Sequence, residues 1–230
     1  MNKVLTLFLT VAVIAAVGYL FWTTSGSFTP VQVQEVATTT QQVISARADS
    51  LREETATYTI DAEYPQFGIA VIDEQIKRTV LEAVEDFKKN AVESPPSPLG
   101  VKYELTSIFD PPHISDDIVS VRLVISTYMG GAHPMAYASG LNFDRMTGKI
   151  LSLSDALSFI NLPLSDVAAE SLRQMRSRHG GSLFEDGLVA TPENYNTFIV
   201  DDTIVTFTFQ LYQIAAYAAG FQEVSFPRKK

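Results

Sequence analysis

The chain has 230 residues, 46% of them hydrophobic and 19% charged, and its 17 Lys and Arg against 26 Asp and Glu give a net charge of −9. That length supports one sizeable core plus an appendage, and an acidic chain with no basic cluster excludes a phosphate-reading nucleic-acid surface and a polybasic hold on anionic lipid. The absence of cysteine removes disulfides, thiol catalysis, thiolate metal sites and a lipidated-cysteine anchor.

The first feature in chain order is an uncharged run of 19 residues, 4–22. At ~1.5 Å per residue a helix of this length spans a bilayer core of ~30 Å. Lys3 precedes the run and Glu35 is the next charge, which leaves the N-terminus cytoplasmic and the remainder outside. Tyr19, Phe21 and Trp22 stand at the outer end, where interfacial aromatics collect. A cleaved signal peptide is the rival reading, since Thr24 and Gly26 are small. Both readings export the domain. Residues 23–54 are rich in Thr, Ser and Gln and read as a flexible linker, with a short helix over 45–54 as the alternative.

The globular pattern begins at Thr55. Residues 57–64 alternate and read as a strand ended by Pro65. Asp73 opens a helix reaching Asn90, with Ile72, Ile76, Val80, Val84 and Phe87 as one buried stripe. A Pro-rich break follows at 94–98. Strands are predicted at 101–109, 118–128, 135–143 and 149–153, with turns at 110–116 and 144–148. These short connections suit antiparallel neighbours. Within 118–128, Val119, Val121, Leu123 and Ile125 share one face, while Ser120, Arg122 and Ser126 make the other more polar.

Ser154 and Asp155 open a further helix, and Ser165 caps a second long one that turns Val167, Leu172 and Met175 inward. Residues 198–200 and 203–209 form a hairpin across Asp201 and Asp202. Residues 211–219 read as a short Ala-rich helix closed by Gly220, and 223–226 as a final strand. The expected fold is α+β: an antiparallel sheet packed by two main helices, preceded by an N-terminal transmembrane helix, with the extracytoplasmic domain at 55–230.

No hydrolase elbow, zinc-protease helix, phosphate loop or dinucleotide fingerprint is present. The acid pairs Asp116 and Asp117, Glu185 and Asp186, and Asp201 and Asp202 fall in predicted turns. His113 and His179 read as solvated, and no two histidines share a metal-ligand spacing, so no metal, cofactor or catalytic residue is assigned. One segment stands apart: Tyr-Met-Gly-Gly-Ala-His-Pro at 128–134. Gly130 and Gly131 permit positive φ or close backbone approach. His133, held against Pro134, either pins the turn or faces a ligand. The second segment, 211–220, carries Tyr212 and Tyr217 among small alanines, for which core packing is the plainer reading. Tyr128, Gly130, Gly131, His133, Tyr212 and Tyr217 are the candidate binding residues.

These two segments occur in order with Asn-Phe-Asp at 142–144, Thr-Gly at 147–148 and Leu-Ser-Asp at 153–155. The pattern resembles the extracytoplasmic domain-of-unknown-function family found in the lysozyme-sensing anti-sigma factor RsiV and ahead of the catalytic part of the peptidoglycan deacetylase PdaC. The resemblance runs from about Tyr58 to Phe226. It implies an envelope-facing α+β domain that binds protein or glycan, and it carries no catalytic residues to transfer. Only Met1, Asn2 and Lys3 precede the apolar run and the chain stops at Lys230, so a stand-alone anchored form is expected.

The function expected is a binding module of the cell envelope. It is held in the cell membrane through residues 4–22 and takes a lysozyme-like muramidase or the peptidoglycan glycan as partner. Its acidic surface suits a basic partner. The alternative is a wall-directed hydrolase using His133 with an acid from elsewhere in the chain. A signalling role fits poorly with three cytoplasmic residues.

Overall fold

A parallel strand pair joined through a helix stands at the centre of the larger sheet. The computed structural model describes residues 45–94 and 100–229. β2 (Tyr58–Gln66) and β3 (Tyr103–Phe109) run parallel, with Tyr58 beside Tyr103, and α1 (Ala70–Glu93) crosses between them. A parallel pair requires such a crossover, so the expectation of purely antiparallel neighbours is corrected here. The anticipated stripe is the buried one: Ile72, Ile76, Val80, Val84 and Phe87 lie against Ile60, Leu105, Leu123 and Ile125. Each such side chain contributes about 1.5–3 kcal/mol on burial. Asp73 sits in the first turn of α1, where its carboxylate accepts the Phe67 and Gly68 N–H groups at 2.7 and 2.9 Å.

The linker expected as far as Glu54 ends sooner. Residues Arg47–Glu54 form β1, antiparallel to β2 and one edge of the sheet. Leu51 packs on the core, and Glu53 accepts the Tyr58 hydroxyl at 2.6 Å and pairs with Lys88 of α1. β2 also continues through Pro65 instead of ending before it. β3 flanks β2 only as far as Ala62, so Pro65 has β1 on one side alone and its missing donor is tolerated.

On the other side of β3 lies β5 (Ile118–Tyr128), antiparallel, with the two-residue β4 (His113–Ile114) pairing β5 beyond the end of β3. β6 (Met135–Asp144) pairs with β5 and forms the second edge. The strand expected at 149–153 reduces to one bridge between Phe143 and Ile150.

The remaining chain builds a separate layer. α2 (Leu153–Ile160) starts from a capping box between Ser152 and Asp155, and α3 (Leu164–His179) starts after Pro163. Ser165 is therefore inside α3 and is not its cap; its hydroxyl donates to Asp166. β7 (Phe198–Val200), β8 (Ile204–Phe209) and β9 (Gln222–Pro227) form a three-stranded antiparallel sheet. Its Phe207, Phe209 and Phe226 join Ile160, Val167 and Met175 in a second core. The single antiparallel sheet is thus replaced by two sheets, one mixed and one antiparallel. No α-helix forms at 211–219, which holds a turn and one 3-10 segment, Tyr217–Ala219.

The polar face of β5 is where the layers meet. The Ser120 hydroxyl donates to Asn142 Oδ1 at 2.6 Å, and Asn142 Nδ2 donates to the Phe198 carbonyl at 2.8 Å. The Val200 N–H donates to Asn142 Oδ1 at 3.0 Å and to Ser120 Oγ at 3.1 Å. Arg122 reaches Asp110 at 2.7 Å and pairs with Glu223 of β9. Among the described residues, no helix is long and apolar enough to cross a membrane. The span expected at 4–22, and the linker as far as residue 44, lie outside the described residues.

Candidate functional site

β5 turns back into β6 through residues 129–134. Gly130 adopts φ 80°, in the left-handed region where a Cβ is disfavoured. Gly131 does not share this demand: it lacks a positive φ, and a Cβ there would meet nothing nearer than the His133 carbonyl at 3.9 Å. The paired-glycine requirement therefore rests on Gly130 alone.

His133 closes the loop. Its Nδ1 lies 2.9 Å from the Pro134 carbonyl, which also accepts the Tyr217 hydroxyl at 2.9 Å. A carbonyl only accepts, so Nδ1 carries a proton and donates to it, while Nε2 lies 3.3 Å from the Tyr212 hydroxyl. The imidazole stacks on the Tyr217 ring with centroids 3.9 Å apart and planes 28° apart. The Tyr212 ring lies 5.6 Å from Tyr217 and 6.4 Å from His133. Tyr212 is 48% exposed, while His133 and Tyr217 are half-buried, so the three rings form an aromatic platform whose open ring is Tyr212.

Tyr212 owes its position to a strained turn. The Gln213 N–H donates to the Gln210 carbonyl at 3.0 Å, and Tyr212, third in that turn, has φ 65°. A bulky residue there is unusual, since the position favours glycine. The Gln213 side chain holds the turn: Oε1 accepts the Gln210 N–H at 2.8 Å, and Nε2 donates to the Gly187 and Asn194 carbonyls at 3.0 Å each. Gln210 anchors it to β6. Its amide accepts the Ala138 N–H and donates to the Ala138 carbonyl, both at 2.9 Å, as a neighbouring strand would. Neither glutamine stood out in the sequence, because their partners lie up to 72 residues away.

The structure therefore brings together His133, Tyr212 and Tyr217 on the loop that Gly130 turns. Tyr128 stays outside this group: it pairs with Glu104 in the ladder and makes no ring contact with the three. His113 faces Asp202 at 3.2 Å and His179 faces the Gln222 amide oxygen at 2.8 Å. Glu185 pairs with Arg176, and Asp201 accepts the turn N–H groups of Thr203 and Ile204. Among the described residues, no three His, Cys, Asp or Glu side chains are grouped to hold a metal ion. Chemically the platform offers ring faces and phenol oxygens, while both imidazole nitrogens are engaged.

Residues 161–229 match the family described as protein of unknown function DUF3298, and residues 51–136 match the family described as deacetylase PdaC. Each of these matches covers less than half of the chain. The platform draws on both matched segments, His133 from the first in the chain and the two tyrosines from the second. Over 220 residues the chain is 22% identical to the peptidoglycan-N-acetylmuramic acid deacetylase PdaC of Bacillus subtilis strain 168. That alignment covers 94% of this chain and 47% of the relative, so the chain spans about half the length of the curated protein it matches. The crystal structure of a DUF3298 family protein from Pseudomonas aeruginosa aligns with a TM-score of 0.54 at 18% identity, covering 80% of this chain and 89% of the other. It shares the DUF3298 α+β fold. A second DUF3298 structure, from Bacteroides fragilis, aligns at 17% identity over 80% of this chain and 91% of its own, with a TM-score of 0.48.

Proposed function

We propose that this domain is a binding module of the cell envelope, held outside the membrane by residues 4–22, and that its ligand is the wall glycan. The observation that carries this reading is the His133–Tyr212–Tyr217 platform. Exposed rings held rigid by hydrogen bonds give contact area with little loss of conformational freedom on binding. The similarity to a peptidoglycan deacetylase supports a wall-associated role. The alternative is hydrolysis through His133, whose ring nitrogens meet the Pro134 carbonyl and the Tyr212 hydroxyl and, among the described residues, no carboxylate that would orient a general base.

The test is cosedimentation of the detergent-solubilised chain with insoluble peptidoglycan. Wild type is expected in the pellet, and the Tyr212→Ala/Tyr217→Ala double variant in the supernatant. Equal binding by both would overturn the platform reading. Retention of a muramidase without retention of peptidoglycan would transfer the role to a protein partner. Release of products that stops in a folded His133→Ala variant would establish the enzyme reading instead.

A further inference from the structure

A cleft of about 200 Å³ opens between the second half of α1 and the adjoining ends of β5 and β6. Phe87, 3% exposed, and Met129 line it with apolar surface. Asp86, Asn90, Thr127 and Tyr137 also line it, and none of their side chains hydrogen-bonds or ion-pairs with another described residue. Asp86 and Asn90 are one helical turn apart and share a face of α1. Burial first, and the Asp86 charge second, raise the Tyr137 phenol above its usual range, so it stays a donor.

Unengaged donors and acceptors around an apolar lining match a ring that is polar at its rim and apolar on its face. An ammonium ligand would use Asp86 but leave the apolar lining of Phe87 and Met129 uncovered. The volume lies below that of a drug-sized pocket, so it suits one ring and not a chain of them. We propose that the cleft holds a single pyranose ring of a wall glycan, stacked on Tyr137, with its hydroxyls taken by Asp86 and Asn90. This rests on the wall-glycan reading and adds a contact separate from the aromatic platform.

Methionine methyl labelling of the full chain in detergent supplies the test. Met129 lines the cleft, Met175 is fully buried in the second core and Met146 is 83% exposed elsewhere. Titration with N-acetylglucosamine is expected to shift Met129 alone, saturably, with a Kd on the order of 1 mM. Asp86→Ala should weaken this about tenfold, with an unchanged Met175 signal reporting an intact fold. A silent Met129, equal shifts at Met146, or a stronger response to lysine amide than to the neutral sugar would overturn the proposal. If Met129 is silent while cosedimentation still needs Tyr212 and Tyr217, the cleft assignment falls and the platform reading stands. If Met129 responds while cosedimentation ignores those tyrosines, the reverse holds.

Discussion

Replacing Gly140 by alanine would test how tightly the two layers are joined. Gly140 lies on β6 against β7, and a Cβ there would sit 2.8 Å from the Phe198 carbonyl carbon and closer still to its oxygen. Ordinary Cβ contacts begin near 3.4 Å, so the strands must part by at least that difference, and the obstacle is backbone that cannot rotate away. Overpacking of this kind costs about 1–3 kcal/mol. The parting also strains the Asn142 bond to the Phe198 carbonyl, 2.8 Å long, which is worth about 0.5–1.5 kcal/mol. Against this, Gly→Ala stabilises by about 0.4–1 kcal/mol through the unfolded chain. The net expectation is a loss of about 0.5–4 kcal/mol, or a Tm lower by roughly 1–16 °C at 2–4 °C per kcal/mol. Gly131→Ala is the control, because its Cβ would make only an ordinary van der Waals contact, and its Tm should hold or rise slightly. A Gly140→Ala chain that melts no lower than Gly131→Ala would refute the claim that β6 and β7 are in backbone contact.

Other perturbations separate stability from binding. A chain beginning at Thr55 lacks β1 and the Glu53 contacts to Tyr58 and Lys88; it should melt lower or aggregate, as followed by light scattering. Tyr212→Gly removes the left-handed strain, so its unfolding free energy should stay within about 1 kcal/mol of wild type while peptidoglycan cosedimentation is lost. Gln210→Ala leaves the outward N–H and carbonyl of Ala138 unpaired; a loss of about 1–3 kcal/mol and faster exchange of the Ala138 amide are expected. Acid should destabilise the domain through depressed carboxylates. Lys88 and then Tyr58 hold Glu53 below its ordinary 4.5, and Arg173 and then Gln174 hold Glu170 down to about 2. Their stabilisation is therefore present above pH 4.5 and is lost as pH falls through the folded values toward 2. Melting curves across that window should show a smaller drop in a Glu53→Gln/Glu170→Gln variant.

The elements that were legible in the sequence are those whose burial is periodic. The stripe of α1, the alternation of β5 and the hairpin across Asp201 and Asp202 each carry their own signal. β1 does not, because an edge strand exposes charge: Arg47, Asp49, Arg52 and Glu53 hide the alternation that places Leu51 inward. The 211–219 segment misleads in the opposite way. Its alanines favour a helix locally, but the Gln213 bonds to Gly187 and Asn194 impose a turn that only the folded chain supplies. The more polar side of β5 carried no sign of what it meets, and Asn142 and Val200 make Ser120 an interior partner. In the candidate site, His133, Tyr212 and Tyr217 were marked by unusual local composition, although the hydrogen bond between His133 and Tyr212 spans 79 residues. Tyr128 was marked by proximity in sequence alone, and its place in the ladder opposite Glu104 separates it from the rings.

The larger sheet has two ends, and each is closed against growth by different chemistry. At β1 the closure is charge, with Arg52 held by Asp61 and Glu63 of the neighbouring strand. At β6 it is the Gln210 amide, which occupies the place of one peptide group from an absent seventh strand. That side chain, with the 149–151 backbone that bonds the same edge at Asn142 and Asp144, ends a hydrogen-bonded lattice that would otherwise invite a copy of itself. The same amide belongs to the turn that displays Tyr212. Loosening the platform would thus also uncover a strand edge, so changes that reshape recognition at this turn carry a risk of fibre-like self-association.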